Sequence, residues 1–211
     1  MEHKTISLAD QVFEHLERDI LSGVFKRGDI ITESRLSSEL GVSRTPIREA
    51  LRRLEQEHLI EETGKGAMVI GISEDDLEDI FLVRSKLEGL VCRFVAEKHT
   101  ESQLNELRET VELQEYYVSK NDPDRIKQMD NQFHELIYKI SGKTIFLEIL
   151  APLHNKIQKY RKAAVTNPSR ALESVAEHRA ILDAIAASDG EKALELSIRH
   201  IENAYHHIKK A

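Results

Sequence analysis

From Ser73 onward the chain offers no alternating run that could pair as a strand, only helical spacings cut by caps and breakers. That limits this part of the molecule to a helical bundle, because amphipathic helices bury their apolar stripes only by packing against other elements. Six helical segments are expected. Ser73 with Asp76 opens the first, and Thr100 with Gln103 forms a capping box for the second. Asp122-Pro123 opens a third, which Ser141-Gly142 ends. A fourth runs from about Thr144 to Val165 with a kink or a local break predicted at Pro152, and Asn167-Pro168 and Asp189-Gly190 introduce the last two.

The first seventy residues follow another plan. Leu8, Val12, Leu16 and Ile20 keep helical spacing over 8–22, and Gly23 closes that helix. A short helix is expected from Glu33 to Leu40, then the turn Gly41-Val42-Ser43, then a third helix with Thr45 as cap and Pro46 as its first residue, continuing to about Glu57. Two helices joined by a short Gly-containing turn make a helix-turn-helix. Leu59 to Glu62 and Ala67 to Ile70 flank Thr63-Gly64-Lys65-Gly66, which reads as a hairpin. A boundary near Gly71 divides the 211 residues into 1–71 and 72–211, sizes that suit two domains. The fold class is mostly α: three helices with a β-hairpin wing, then an all-helical bundle.

A net charge of −7 argues at first against nucleic acid, because backbone phosphates demand cations, but its distribution matters more than its sum. Residues 35–53 hold Arg35, Arg44, Arg48, Arg52 and Arg53 against Glu39 and Glu49. On the third helix Ile47, Ala50, Leu51 and Leu54 share one face, which leaves Arg48 and Arg52 on others. Ser43, Arg44 and Thr45 stand where backbone N–H groups point outward, the place at which a recognition helix meets phosphates and base edges. Arg48 follows in the first turn, and an arginine fork can donate twice to guanine O6 and N7. The single cysteine, Cys92, excludes an internal disulfide and a multi-cysteine zinc cluster, and reads as a small buried hydrophobe. No membrane span or signal segment is evident, so a cytoplasmic location is expected.

The helix from Ser73 carries an inward stripe of Leu77, Ile80, Phe81, Leu87, Val91, Phe94 and Val95, and Arg84 falls inside it. A cation at a core-facing position needs a partner, either a buried acid or an anionic effector. Asp130 and His134 lie four residues apart beside the face marked by Ile126, Met129, Phe133, Ile137 and Ile140. His178 takes a stripe position with Val175, Leu182 and Ile185, and His200 does so with Ala193, Leu196 and Ala204. One inward histidine is commonly a satisfied core residue. Three imidazoles and a carboxylate on three helices suit zinc, or else nickel, manganese or iron. His154, His206 and His207 read as surface or secondary pocket residues, with His207 the one of the three expected to face inward.

The run Gly41-Val42-Ser43-Arg44-Thr45-Pro46-Ile47-Arg48-Glu49-Ala50-Leu51-Arg52-Arg53-Leu54 resembles the signature of GntR-family regulators, and Thr63-Gly64-Lys65-Gly66-Ala67-Met68-Val69 resembles their wing. The resemblance implies base or phosphate contacts by Arg44 and Arg48, phosphate contacts by Ser43 and Thr45, and approach of the wing around Gly66 to the minor groove. Arg35, Arg52 and Lys65 complete the candidate DNA contacts. Many members place an arginine where Ser34 stands, and Arg35 is offset from it by one residue. The rest of the chain is similar to the FCD effector domain of the FadR branch, on Arg84-Ser85-Lys86-Leu87-Glu88, Asp130-Asn131-Gln132-Phe133-His134, Glu177-His178-Arg179-Ala180-Ile181-Leu182 and Arg199-His200. Six helices rather than seven point to the VanR-like subgroup. The implied site is a divalent metal on Asp130, His134, His178 and His200, with Arg84 helping to hold a small carboxylate effector.

The function expected is a homodimeric repressor that reads a palindromic operator in double-stranded DNA and responds to that effector. The rival reading is a metal-dependent hydrolase. It lacks support: no HExxH motif occurs, and no paired Glu-x-x-His motifs supply a di-metal bundle site. A helical adaptor with an incidental basic patch leaves the four metal-type residues unexplained.

Overall fold

The computed structural model describes residues 7–161 and 168–210. The tail of the fourth segment predicted to reach Val165, and the Asn167 position before the fifth, lie outside them. The chain divides into two compact units, one built on residues up to Leu77 and the other on residues from Glu78.

In the first unit, helices α1 (Leu8–Leu21), α2 (Glu33–Leu40) and α3 (Arg44–Gln56) are joined by an antiparallel sheet of β1 (Ile30–Ile31), β2 (Ile60–Thr63) and β3 (Gly66–Val69) in the order β1-β3-β2. Ser7 caps α1 in a complete capping box with Asp10. Val12, Phe13, Leu16 and Ile20 of α1 meet Ile47, Leu51 and Leu54 of α3 in one buried core. Arg53 joins the same two helices, bonded to Asp10 at 2.5 Å and stacked 4.0 Å over the Phe13 ring, so it belongs to the fold rather than to a basic face. Gly41 closes α2 at φ 65°, a left-handed conformation that glycine enters readily.

Two sequence expectations need correction. Ser43, not Thr45, is the N-cap of α3, and Pro46 is its third residue. Proline costs nothing there, because every N–H of a first helical turn lacks an intrahelical acceptor. Strand β1 was not anticipated: two residues carry too little pattern, and it exists by pairing Ile30 with Met68 and Ile31 with Ala67. The hairpin stands as expected, β2 and β3 meeting at Thr63 and Gly66 around Gly64-Lys65.

The second unit consists of α4 (Glu74–Glu97), α5 (Glu101–Ser119), α6 (Pro123–Ile140), α7 (Thr144–Arg161), α8 (Pro168–Ala186) and α9 (Gly190–Lys209). The Ser73, Thr100, Asp122 and Asp189 starts are all in use as side-chain caps. α7 runs through Pro152 as one helix. Its core gathers Val91, Val95, Leu107, Val111, Phe133, Ile137, Leu150, Ile181 and Ile185. Cys92 is buried among them, and burial pushes its thiol up to about 12, as an inert core residue requires.

Gly66 is fixed by both space and conformation. Its φ is 129°, and a Cβ there would stand 2.7 Å from the Ile31 carbonyl oxygen. Gly66→Ala should therefore destabilise the first unit by about 1–3 kcal/mol, read as an earlier urea midpoint of the full chain. An unchanged midpoint would mean that the β1-β3 edge yields without cost.

Candidate functional site

Three helices of the second unit bring His134, His178 and His200 together. All three are at most 4 % exposed, and their Nε2 atoms converge: His200 lies 3.3 Å from His178 and 3.4 Å from His134. The histidines come from α6, α8 and α9, each at a position its own apolar stripe drives inward. One ligand atom from each falls within 4.8 Å of the other two. The Asp130 carboxylate, one turn before His134 on α6, lies 3.9 Å from His178 Nε2.

The opposite nitrogens explain the arrangement. His134 Nδ1 meets Glu88 Oε2 at 2.9 Å, His178 Nδ1 meets Gln114 Oε1 at 2.8 Å, and His200 Nδ1 meets Glu177 Oε2 at 2.6 Å. All three partners are acceptors, so each Nδ1 carries the proton and each Nε2 presents a lone pair. In the neutral form of the three rings, their Nε2 lone pairs face one another, with contacts of 3.3 and 3.4 Å. A cation among them turns that repulsion into coordination. Burial, followed by the neighbouring His200, drives the His178 pKa well below its ordinary value, and burial lowers that of His200 as well. Both are thereby kept neutral, the form that ligates metals. The donor set therefore fits a divalent ion, with orienting hydrogen bonds of the kind metal-bound histidines require.

The acids behind the histidines are themselves neutralised. Arg84, at 3 % exposure, donates from Nε to Glu88 Oε1 at 2.7 Å. Burial opposes the Glu88 carboxylate, yet Arg84 and His134 outweigh it and hold its pKa far below the usual range. Arg170 grips Glu177 through two hydrogen bonds of 3.0 and 2.8 Å, and Asn203 adds a third at 2.7 Å. Burial is again outweighed, by His200 and Arg170, and Glu177 sits at about 2.

Of the alternatives open for Arg84, the buried acid is the one the structure contains. A second arm of its fork lies 3.1 Å from His154 Nδ1, and His154 Nε2 meets Asn131 Oδ1 at 3.1 Å. His154, expected at the surface or in a secondary pocket, is the inward one of the three at 2 % exposure, whereas His207, the one expected to face inward, is only half-buried and bonded to Glu173, and His206 is exposed. The missed signal was its spacing with Leu150 and Ile157, both fully buried on the same face of α7. Gln114 was also missed, although it continues the α5 stripe of Leu107, Val111 and Val118 as its one amide. Glu88 and Glu177 received no role from sequence, because a carboxylate four residues from an arginine or next to a histidine is common on helices.

In the first unit, the residues expected to meet DNA gather on the exposed side of α2, α3 and the wing. Ser43, Arg44, Thr45, Arg48 and Arg52 are exposed around the start and outer face of α3, and Lys65 is exposed at the hairpin tip beside Gly66. Arg35 is exposed on α2 but bonded to Glu39 at 2.7 Å. Arg48 makes a two-pronged pair with Glu33, from Nε to Oε1 and from Nη2 to Oε2, each at 2.9 Å. Among the described residues, Arg44 and Arg52 form no ion pair.

Comparison with known proteins agrees with this division. Residues 8–70 match the family described as bacterial regulatory proteins, gntR family, and residues 79–203 match the FCD domain. The HTH-type transcriptional regulator YdhC of Bacillus subtilis (strain 168) is 29% identical over 94% of this chain and 90% of its own length. The gluconate operon transcriptional repressor of the same organism is 33% identical over 61% of this chain and 53% of that protein. Among solved structures, Escherichia coli McbR/YncC superposes with a TM-score of 0.76 at 25% identity, covering 98% of this chain and 99% of that one.

The buried Arg84-Glu88 pair makes an asymmetric prediction. Arg84→Met leaves an uncompensated carboxylate and should cost about 3–5 kcal/mol in urea unfolding, while Arg84→Met with Glu88→Leu should recover most of that loss. If the double variant is as unstable as the single one, the cost lies in packing rather than charge.

Proposed function

Because the chain belongs to the gntR family of bacterial regulatory proteins and carries an FCD domain, we propose that this DNA-binding transcription regulator is a homodimeric repressor controlled by a small carboxylate at a divalent metal site. Its matched domains and its relatives are those of regulators, not enzymes. Residues 1–71 are the DNA-binding domain and 72–211 the effector-binding and dimerisation domain. Two heads related by two-fold symmetry read half-sites about one helical turn apart in a palindromic operator. The relatives named as gluconate operon repressors support the direction of control.

The observation that carries the metal reading is the set of three Nε2 lone pairs turned toward one another, each fixed by an acceptor at Nδ1. His134, His178 and His200 hold the ion, with Asp130 as the fourth protein ligand. Zinc suits this nitrogen-rich set best, and nickel, manganese or iron also accept it. When bound, the ion supplies positive charge in a site whose arginines are already answered by acids. Arg84 contributes direction rather than net charge: its fork has five N–H donors, and those not used by Glu88 and His154 can meet an effector carboxylate. Control follows if the effector binds one arrangement of the protein better than the other.

Chelator-stripped protein titrated with zinc should take up one ion per chain. His134→Ala and His178→Ala should each lose it, and Gln114→Leu should weaken it roughly 10- to 100-fold. Full occupancy in both histidine variants would remove the site. For the head, Arg48→Ala should weaken binding to the DNA flanking the protein's own gene by roughly 1–3 kcal/mol in a mobility-shift assay. Adding candidate carboxylates to that assay tests control, and a response lost with zinc would tie the two sites together.

A further inference from the structure

The arginines of the head differ in how they are held. Arg44 and Arg52 project from α3 without an ion pair among the described residues, which suits loose contact with phosphates. Arg35 is tied to Glu39 within its own helix, one turn along. Among the described residues of the head, Arg48 alone is bound by both prongs to a carboxylate on another helix. That carboxylate, Glu33, is the first residue of α2, directly after the Thr32 cap, so its backbone is fixed by the turn that starts the helix.

The geometry has a specific consequence. Glu33 occupies the Nε and Nη2 edge of the guanidinium, which leaves the end-on edge, Nη1 with the second hydrogen of Nη2, pointing away from the pair. That edge has the spacing to donate to guanine O6 and N7 together. Arg48 remains 69% exposed, so Glu33 orients the side chain without covering it. The pair is also too exposed to withhold the arginine from a ligand, since ion pairs at such sites contribute little net free energy. Restricting a long side chain to one direction is what it does instead, and an arginine so restricted loses less entropy on meeting a base.

We infer that Glu33 is a specificity-determining residue that buttresses Arg48 so that it reads a guanine instead of reaching for nearby phosphates. Glu33 itself touches no base, and its negative charge opposes the DNA backbone. It therefore lowers non-specific affinity while sharpening preference at one base pair. This rests on the reading of Arg48 as a base contact, and the test separates the two.

Full-length protein, Glu33→Ala, Glu33→Gln and Arg48→Ala are each used to select duplexes from a randomised pool, and the base frequencies at every position are compared. Thermal midpoints check that each variant is folded. Glu33→Gln, which keeps the reach and one acceptor oxygen, carries the test if Glu33→Ala does not fold. The expected result is that Glu33→Ala flattens the G·C preference at one position per half-site by roughly fivefold or more, the same position that Arg48→Ala flattens. Binding of Glu33→Ala to a random duplex at low salt should be equal to or tighter than that of the parent. If Arg48→Ala flattens a position that both Glu33 variants leave intact, the buttress is refuted and the base contact stands. If Arg48→Ala changes no preference, the base contact itself fails. Tighter binding of Glu33→Ala to all duplexes with every preference kept would make Glu33 a general brake and overturn the inference.

Discussion

The second unit is organised around a repulsion. Three imidazole nitrogens are turned toward one another, with contacts of 3.3 and 3.4 Å, on side chains at most 4 % exposed. Each histidine is turned there by an acceptor behind it, and each acidic acceptor in turn needs an arginine, because an unpaired buried carboxylate is far more costly than a paired one. Arg84 and Arg170 are therefore consequences of the histidines: without His134 and His200 to orient, Glu88 and Glu177 have no reason to be buried, and without those acids neither arginine could be. Gln114 escapes the chain of demands because an amide carbonyl is neutral. The polar interior is thus a nested set of compensations built outward from one point.

The outer shell was less legible in sequence than the point itself. His178 and His200 could be read because each takes the place of an aliphatic residue on a helical stripe, and His134 because it stands one turn after Asp130 beside such a stripe. Arg84 could be read as misplaced for the same reason, though not which partner it would find. For His154 the sequence leaves surface and secondary pocket open, since Leu150 and Ile157 mark its face only once the helix phase through Pro152 is known. Gln114 and Glu177 depend on which helices become neighbours, and single-helix periodicity holds no information about that. The elements were legible because caps and turns are local chemistry; strand β1 was not, because its two residues are a strand only by virtue of β3.

The head shows the same contrast between charge as composition and charge as placement. Five arginines on one stretch suggested a single basic face. In the folded unit they divide by partner: Arg53 is held by Asp10 and Phe13, Arg35 by Glu39, and Arg48 by Glu33, while Arg44 and Arg52 form no ion pair among the described residues. A net charge of −7 is compatible with DNA binding for this reason. A phosphate contact asks for an open cation, and a base contact for a directed one.

The polar cluster draws side chains from every helix of the second unit: Arg84 and Glu88 from α4, Gln114 from α5, His134 from α6, His154 from α7, His178 and Glu177 from α8, and His200 from α9. No helix can shift along its axis without lengthening a hydrogen bond in this set. A ligand that strengthened the central contacts would tighten all six helices at once, whereas the Arg84-Glu88 pair lies within α4, and it is Glu88 with His134 that ties α4 to α6 and Arg84 with His154 that ties α4 to α7. α4 begins at Glu74, five residues after β3 ends at Val69. α4, which carries both Arg84 and Glu88, is therefore the element of the polar cluster that follows the wing directly in the chain.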